Sequence, residues 1–350
     1  MKIGDLGVPM FFVVSGYCIA VAARSAIRND LPWTHFLFRR LKRIYPPYWL
    51  SILVVVSIPF AIELISSLKT GAYQAPSPGN LNYGFLNYGL TDWLLVATLT
   101  KALQVMPEAS NLSYKFTTIN AVYWTLAIEV QFYLVVTAAL FAARKHFYAA
   151  MLGITAVSFA ASWITGIETS GLFFPYWSMF AWGILLCWLL ERKITIEWIA
   201  GRFHLVTAGM VCAVMLAIFL VFAASGEGIN HSIFAGLFCL FLFLLYGIDQ
   251  IYAAKIEKSK VKWIQWLVAG ITAIGAMSYS LYLLHGRLQF LVMQFVRQAV
   301  SADTIAFDIA VIAITSTACY AFYWLCERPF IGSARKKKAD DAPKGAMIAT

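Results

Sequence analysis

Long apolar runs separated by short polar connections make up most of this chain. A membrane hydrocarbon core about 30 Å thick requires roughly 20 apolar residues for each crossing helix. By that measure the pattern predicts nine spans and an all-α fold, a polytopic transmembrane helix bundle. A further apolar stretch, 92–105, is too short and carries Lys101, so it is predicted to be re-entrant or interfacial. The nine predicted spans are approximately 6–23, 46–66, 122–143, 147–166, 172–190, 204–224, 231–252, 271–294 and 305–326.

Composition supports this class and excludes others. The 350 residues are 61% hydrophobic and 13% charged, and the mean hydropathy is +0.73, values that a soluble globular protein does not have. The net charge of +10 does not indicate nucleic-acid binding, because the basic residues lie in short clusters between apolar runs. The six cysteines form no CxxC pair and no metal-ligand spacing, so no metal site is predicted.

The distribution of basic residues predicts the orientation. If all nine runs cross the membrane, most of the 27 Lys and Arg residues fall in the connections on one side, which the positive-inside rule assigns to the cytoplasm. The long connection 67–121 then lies outside, and the C-terminus lies inside. We therefore predict a membrane domain over 1–333 and a disordered basic and polar tail over 334–350, which would rest against anionic headgroups.

Five motifs occur in order along the chain and resemble those of the acyltransferase-3 family of integral membrane acyltransferases. That resemblance implies ten helices with both ends in the cytoplasm of a bacterial inner membrane. It also implies O-acetylation or O-succinylation of exported polysaccharides. The family's first helix, with its Arg-rich start and a histidine thought to be the catalytic base, has no counterpart here. We expect the chain to begin one helix late; the alternative is a shortened and inactive member of the family. The motifs are GVPMFFVVSGY, RRLKRIYPPYW, VYWTLAIEVQFYL, MSYSLYLLHG and CERPF.

Basic residues of the second motif are candidates for binding the acyl donor. Arg40 and Arg43 are spaced i, i+3 at one end of a span, so both can face one way. Their planar guanidinium groups suit the phosphates of acyl-CoA, the expected co-substrate, with acetyl-CoA the first choice. The alternative is that both are ordinary membrane anchors. Pro46 and Pro47 are expected to stop any helix that runs through this connection.

Two ionisable side chains within predicted spans are the candidate catalytic residues. Glu129 would lie about 10 Å deep from the outer side, and His285 about 20 Å from the inner face, so the two could share a depth. A carboxylate beside an imidazole raises its basicity, and such a pair can activate a hydroxyl as a general base. The alternative is structural, because buried polar groups pair to satisfy one another.

Other residues of the motifs are weaker candidates for lining the substrate site. Ser15 precedes Gly16, and close helix packing is the favoured interpretation over an acyl-serine. Trp124 is most simply part of an interfacial aromatic belt, as is common for membrane Trp and Tyr. Glu327 and Arg328 could pair with each other or with the Arg40 loop, so donor-site support and neutralisation of local charge are both open for Glu327. Two tyrosines on the His285 helix complete the set, Tyr279 and Tyr282.

The predicted function is transfer of an acyl group from acyl-CoA to a hydroxyl of an exported polysaccharide, glycolipid or other glycan across the cell envelope. Two alternatives stay open. The chain could be a non-catalytic membrane partner of polysaccharide-synthesis proteins. It could also transport a glycan, although the repeats and broken helices typical of transporters are not visible.

Overall fold

The computed structural model describes residues 6–71, 81–104, 112–164, 170–192, 209, 231–257 and 261–330. Within these ranges all regular structure is helical, which confirms the predicted all-α class. The predicted tail 334–350 and, apart from residue 209, the predicted span 204–224 lie outside the described residues. The α-helices are α1 (Gly7–Arg28), α2 (Trp33–Thr70), α3 (Leu90–Ala97), α4 (Tyr123–Ala142), α5 (Phe147–Ala161), α6 (Trp177–Leu190), α7 (His231–Glu257), α8 (Lys262–Ala276), α9 (Ser278–Val296) and α10 (Ile305–Phe322).

Several of these helices are long and apolar enough to cross a membrane. Four described helices pass this test alone, and the bent pair formed by α8 and α9 raises the number to five. Helices α5 and α6, with 15 and 14 residues, are shorter than the spans predicted for 147–166 and 172–190. The chain is thus a multi-pass helical membrane protein, and the number nine stays a prediction.

Helix α2 runs without interruption through both prolines of its motif. The expectation that Pro46 and Pro47 stop the helix is therefore wrong. Proline fixes φ near the helical value, and its cost comes from the lost donor and the clash with the preceding turn. In membrane helices, neighbouring groups can satisfy the carbonyls that proline leaves. Pro46 and Pro47 leave the carbonyls of Lys42 and Arg43 without their usual helical donors, and the carbonyl of Ile44, next in the chain, accepts from the Tyr279 hydroxyl at 3.0 Å.

The predicted span 271–294 is also wrong as a single helix. Helix α8 ends at Ala276 and α9 begins at Ser278, with Met277 between them outside helical geometry (φ −92°, ψ 6°). The break falls immediately before the SYSLYLLH motif. The motif therefore starts a helix instead of lying within one, which exposes the first-turn N–H groups of α9 to other partners.

The stretch 92–105 folds as the short α3 followed by a 3₁₀ turn at Thr100–Leu103, in agreement with its predicted failure to span. Its lysine is buried but has partners. The Lys101 ammonium group lies 3.4 Å from a carboxylate oxygen of Asp92 and 4.5 Å from the ring centre of Tyr88. Paired in this way, a buried charge is tolerated.

The chain divides into two compact units, which we describe separately. The first comprises 1–37 and 75–276, and the second comprises 38–74 and 277–350. In the first unit, α1 packs closely on α6 because glycines face each other across the contact. A Cβ on Gly16 would overlap the carbonyl of Phe180, and one on Gly183 would overlap the carbonyl of Val13. Small residues at such positions let membrane helices approach closely, as predicted for Gly16.

Candidate functional site

The first unit contains a buried carboxylate that receives hydrogen bonds from two hydroxyl groups. Ser15 of α1 donates to Oε1 of Glu129 at 2.8 Å, and Tyr133 of α4 donates to the same oxygen at 2.8 Å. Glu129 is 8% exposed and Ser15 is 7% exposed. A hydrogen bond to an ionised group is stronger than one between neutral groups, and a low dielectric strengthens it further. The two donors thus fix and stabilise the carboxylate.

Each of these side chains reaches Glu129 because of its helical position. Tyr133 follows Glu129 by four residues, so both lie on one face of α4. Ser15 lies on α1 next to Gly16, whose missing side chain brings that helix close to α6. The favoured prediction for Ser15 was packing alone, but its hydroxyl also contacts the candidate catalytic carboxylate.

Aromatic rings pack tightly beside this carboxylate-bearing part of α4. Phe132 stacks on Phe180 with ring centres 4.2 Å apart, and it meets Phe12 and Trp177 edge to face at 5.5 and 5.7 Å. All four rings are fully buried. Such packing excludes water and keeps the local dielectric low, so charges nearby act strongly on one another.

Trp124, at the start of α4, belongs to the exposed margin of these rings. It lies 5.1 Å from the ring of Tyr176 and 6.3 Å from that of Phe12. Trp124 and Tyr176 are both half-buried, whereas Phe12 is fully buried. Two partly accessible aromatic side chains thus lie next to a fully buried aromatic cluster. Sequence reasoning identified Trp124 but missed Tyr176, which belongs to none of the five motifs.

In the second unit, His285 lies on α9 and is half-buried. Its Nδ1 is 3.0 Å from the carbonyl oxygen of Leu281 and 3.2 Å from that of Tyr282. A carbonyl only accepts hydrogen bonds, so this contact favours the tautomer that carries its proton on Nδ1. In that tautomer Nε2 has a free lone pair, which is the form that a general base requires. The ring of Tyr282 lies 6.4 Å from the imidazole.

Three of the five motifs meet in the second unit. Glu327 closes a five-residue π-helix at Tyr323–Glu327, directly after α10, and is 1% exposed. Its carboxylate accepts from the backbone N–H of Ser280 at 3.1 Å and from the Ser280 hydroxyl. Tyr279, next to Ser280, donates to the α2 backbone as described above.

The sequence suggested that Arg328 could pair with Glu327, but the Arg328 side chain contacts Trp324. Its guanidinium group lies over the ring of Trp324 at 3.5 Å from the centre. A guanidinium on an indole face gains a cation–π interaction and keeps its edges available to solvent or headgroups. Arg328 therefore fits a membrane anchor, and the hydrogen bonds that Glu327 accepts come from Ser280.

Glu129 and His285 belong to different units, so their pairing stays a prediction. Besides Tyr176, the structure adds two residues that sequence reasoning missed, Tyr133 and Ser280. Tyr133 could have been found from its i+4 spacing to Glu129, whereas Ser280 is 47 residues from Glu327 and no local signal links them. Among the described residues, no three His, Cys, Asp or Glu side chains form a group that could hold a metal ion.

The fold and these buried polar groups define a multi-pass membrane protein with ionisable side chains inside its helix bundle. Such side chains are costly in a membrane and commonly mark functional sites. The family model described as the acyltransferase domain matches residues 2–324. The chain belongs to this acyltransferase-3 family, and it is a membrane acyltransferase in that general sense. No curated protein and no solved structure matches it.

Proposed function

We propose that this membrane acyltransferase moves an acetyl or succinyl group from acyl-CoA to a hydroxyl of an exported polysaccharide, glycolipid or other glycan. The observation that carries the proposal is the contact between His285 Nδ1 and the Leu281 carbonyl, which leaves Nε2 available as a base. A sugar hydroxyl is a weak nucleophile until its proton is taken, and a neutral imidazole suits that task near neutral pH.

The proposed reaction is a direct transfer. Nε2 of His285 takes the proton of the acceptor hydroxyl while the hydroxyl oxygen forms a bond to the thioester carbonyl carbon. The bond between that carbon and sulfur then breaks, and the imidazolium returns its proton to the departing CoA thiolate. The products are an ester and free CoA, and no other reactant is needed.

Glu129 is the second candidate catalytic group. Held by Ser15 and Tyr133, its carboxylate has a fixed position. A carboxylate fixed in this way can stabilise positive charge that develops on a neighbouring group during a reaction. The half-buried rings of Trp124 and Tyr176 suit the apolar face of a sugar ring, and this supports a glycan as the acceptor.

Arg40 and Arg43 are the proposed binding residues for the donor. Arginine forms bidentate contacts with phosphate oxygens, and CoA carries several phosphates. The positive-inside rule assigns this end of α2 to the cytoplasm, where acyl-CoA is found. The proposal therefore includes a bacterial inner-membrane location with a cytoplasmic C-terminus.

The test is acyl transfer by purified protein in liposomes, with radiolabelled acetyl-CoA as donor and the host's extracellular polysaccharide as acceptor. His285→Ala should abolish transfer, whereas His231→Ala, an exposed histidine at the start of α7, should retain it. A double variant, Arg40→Glu and Arg43→Glu, should insert normally but lose transfer. Full activity in His285→Ala would refute the role of this base, and full activity in the charge-reversed variant would refute the donor site.

A further inference from the structure

The same five-residue pattern, Trp-Leu-x-Glu-Arg, occurs twice in the chain, each time at the end of an apolar helix. The first segment is 188–192, where α6 ends, and the second is 324–328, after α10. In both segments the arginine lies over the tryptophan four positions before it. The guanidinium carbon is 3.9 Å from the ring centre of Trp188 in the first segment and 3.5 Å from that of Trp324 in the second. The segments belong to different units, so the same local geometry arises in two separate places.

In neither segment does the glutamate neutralise the arginine beside it. The Glu191 carboxylate pairs with Arg24 and Arg28 of α1 at 3.0 and 3.1 Å. Glu327 accepts hydrogen bonds from the N–H and the hydroxyl of Ser280, at the start of α9. Each glutamate therefore fastens the end of its helix to another helix of the same unit. Among the residues that the structure describes, the two arginines of the pattern form no ion pair.

One face of α10 and of the turns after it follows the order of the layers of a bilayer. Exposed side chains that recur at helical spacing are aliphatic at first, then aromatic and finally charged: Ile305, Ile312, Tyr320, Trp324 and Arg328. The helix rises about 29 Å between Ile305 and Trp324, which is close to the thickness of the hydrocarbon core. Tryptophan favours the membrane interface. Arg328, one turn further along, therefore reaches the depth of the lipid phosphates.

We propose that each Trp-Leu-x-Glu-Arg segment binds the phosphate group of an anionic phospholipid. The indole ring covers one face of the guanidinium group and holds it flat, so its N–H donors point outward from the edges, where they can form paired hydrogen bonds to a phosphate. An anionic lipid is favoured because a zwitterionic headgroup carries its own cation, which competes with the arginine. This binding does not depend on acyl transfer, and the predicted orientation assigns both sites to the inner leaflet.

The first test is native mass spectrometry of the purified protein in detergent, titrated with dioleoylphosphatidylglycerol. Arg192→Gln and Arg328→Gln should each weaken the binding of one phosphatidylglycerol molecule about fivefold, and the double variant should weaken the binding of two. Both arginines are exposed, so the variants should fold, and thermal unfolding checks this. The matched control is Arg297→Gln, at an exposed arginine that follows α9 without a tryptophan contact, and it should bind phosphatidylglycerol as the wild type does.

A second set of variants separates a built site from general surface charge. Arg328→Lys keeps the charge but loses the planar group, and Trp324→Leu keeps the arginine but loses the ring. Each should weaken phosphatidylglycerol binding about two- to fivefold, whereas Trp163→Leu, at an exposed tryptophan after α5, should not. Wild-type affinity in both Arg328→Lys and Trp324→Leu would overturn the proposal. Equal affinity of the wild type for dioleoylphosphatidylcholine would overturn the preference for anionic lipid, and displacement of the lipid by an equal concentration of inorganic phosphate would show a soluble ligand instead.

Discussion

Removal of the hydroxyl groups that surround Glu129 should reduce both stability and acyl transfer. Ser15→Ala and Tyr133→Phe each delete one donor to the same carboxylate oxygen and change little else in shape. A hydrogen bond to a charged group contributes about 1.5–3 kcal/mol, and its loss from a buried charge costs that amount or more. Each variant should therefore unfold at a lower temperature than the wild type.

The effect on rate follows from the same energies. If the position and charge of Glu129 matter in the transition state, the loss of 1.5–3 kcal/mol corresponds to a decrease of about ten- to a hundredfold in kcat/KM. Glu129→Gln, which removes the charge altogether, should decrease it further. The double variant Ser15→Ala and Tyr133→Phe should lose more stability than the sum of the two single variants, because the carboxylate then loses both hydroxyl donors at once.

The assay combines thermal unfolding in detergent with initial rates of acetyl transfer in liposomes. Ser25→Ala is the matched serine control, because Ser25 lies on the same helix but near its exposed end, where it accepts from Asn29 at 3.3 Å. Tyr114→Phe, at an exposed tyrosine of the 3₁₀ helix Leu112–Phe116, is the tyrosine control. Wild-type rates in Glu129→Gln would refute a catalytic role for this carboxylate. Stability losses without rate losses would reduce the Ser15–Glu129–Tyr133 cluster to a structural role.

Further predictions concern packing and the connection between α2 and α4. Gly183→Ala should destabilise the protein by about 1–3 kcal/mol through overpacking against α1. Gly153→Ala, the control, adds a methyl group in open space and should not destabilise it. Equal thermal midpoints for the two variants would contradict the close contact between α1 and α6. Lys115→Met should cost about 1–3 kcal/mol, because the Lys115 ammonium donates to the carbonyl of Ala102 at 2.7 Å. Burial lowers the pKa of Lys115, so its folded form releases a proton before the unfolded form does, and stability should rise with pH between those two pKa values. Lys115→Met should remove this rise, and thermal unfolding measured across alkaline pH would reveal the loss. The same pH dependence of stability in Lys115→Met and the wild type would contradict the prediction.

The sequence allowed the class and the main candidates to be predicted because both depend on local composition. Apolar runs of membrane length indicate helices wherever they occur, and an ionisable residue such as Glu129 is conspicuous within one. The failure of 92–105 to form a full span was predicted for the same reason, since the apolar stretch is short and contains Lys101.

The errors have a different physical origin. Pro46 and Pro47 were expected to end a helix, but α2 continues through both, because the cost of proline in a membrane helix depends on its tertiary surroundings. The break at Met277 carries no proline signal, and Gly275, two residues before it, lies within an apolar run that reads as one continuous helix. The capping of α9 by Glu327 likewise depends on tertiary contact, which composition and periodicity do not encode.

The most direct test of the central claim is mass spectrometry of the glycan after incubation with the purified protein and isotopically labelled acetyl-CoA. The account predicts a labelled acetyl ester on a sugar hydroxyl, formed in step with release of free CoA and absent when His285→Ala replaces the wild type. CoA release without a glycan ester, or labelled ester formed equally well by His285→Ala, would contradict it.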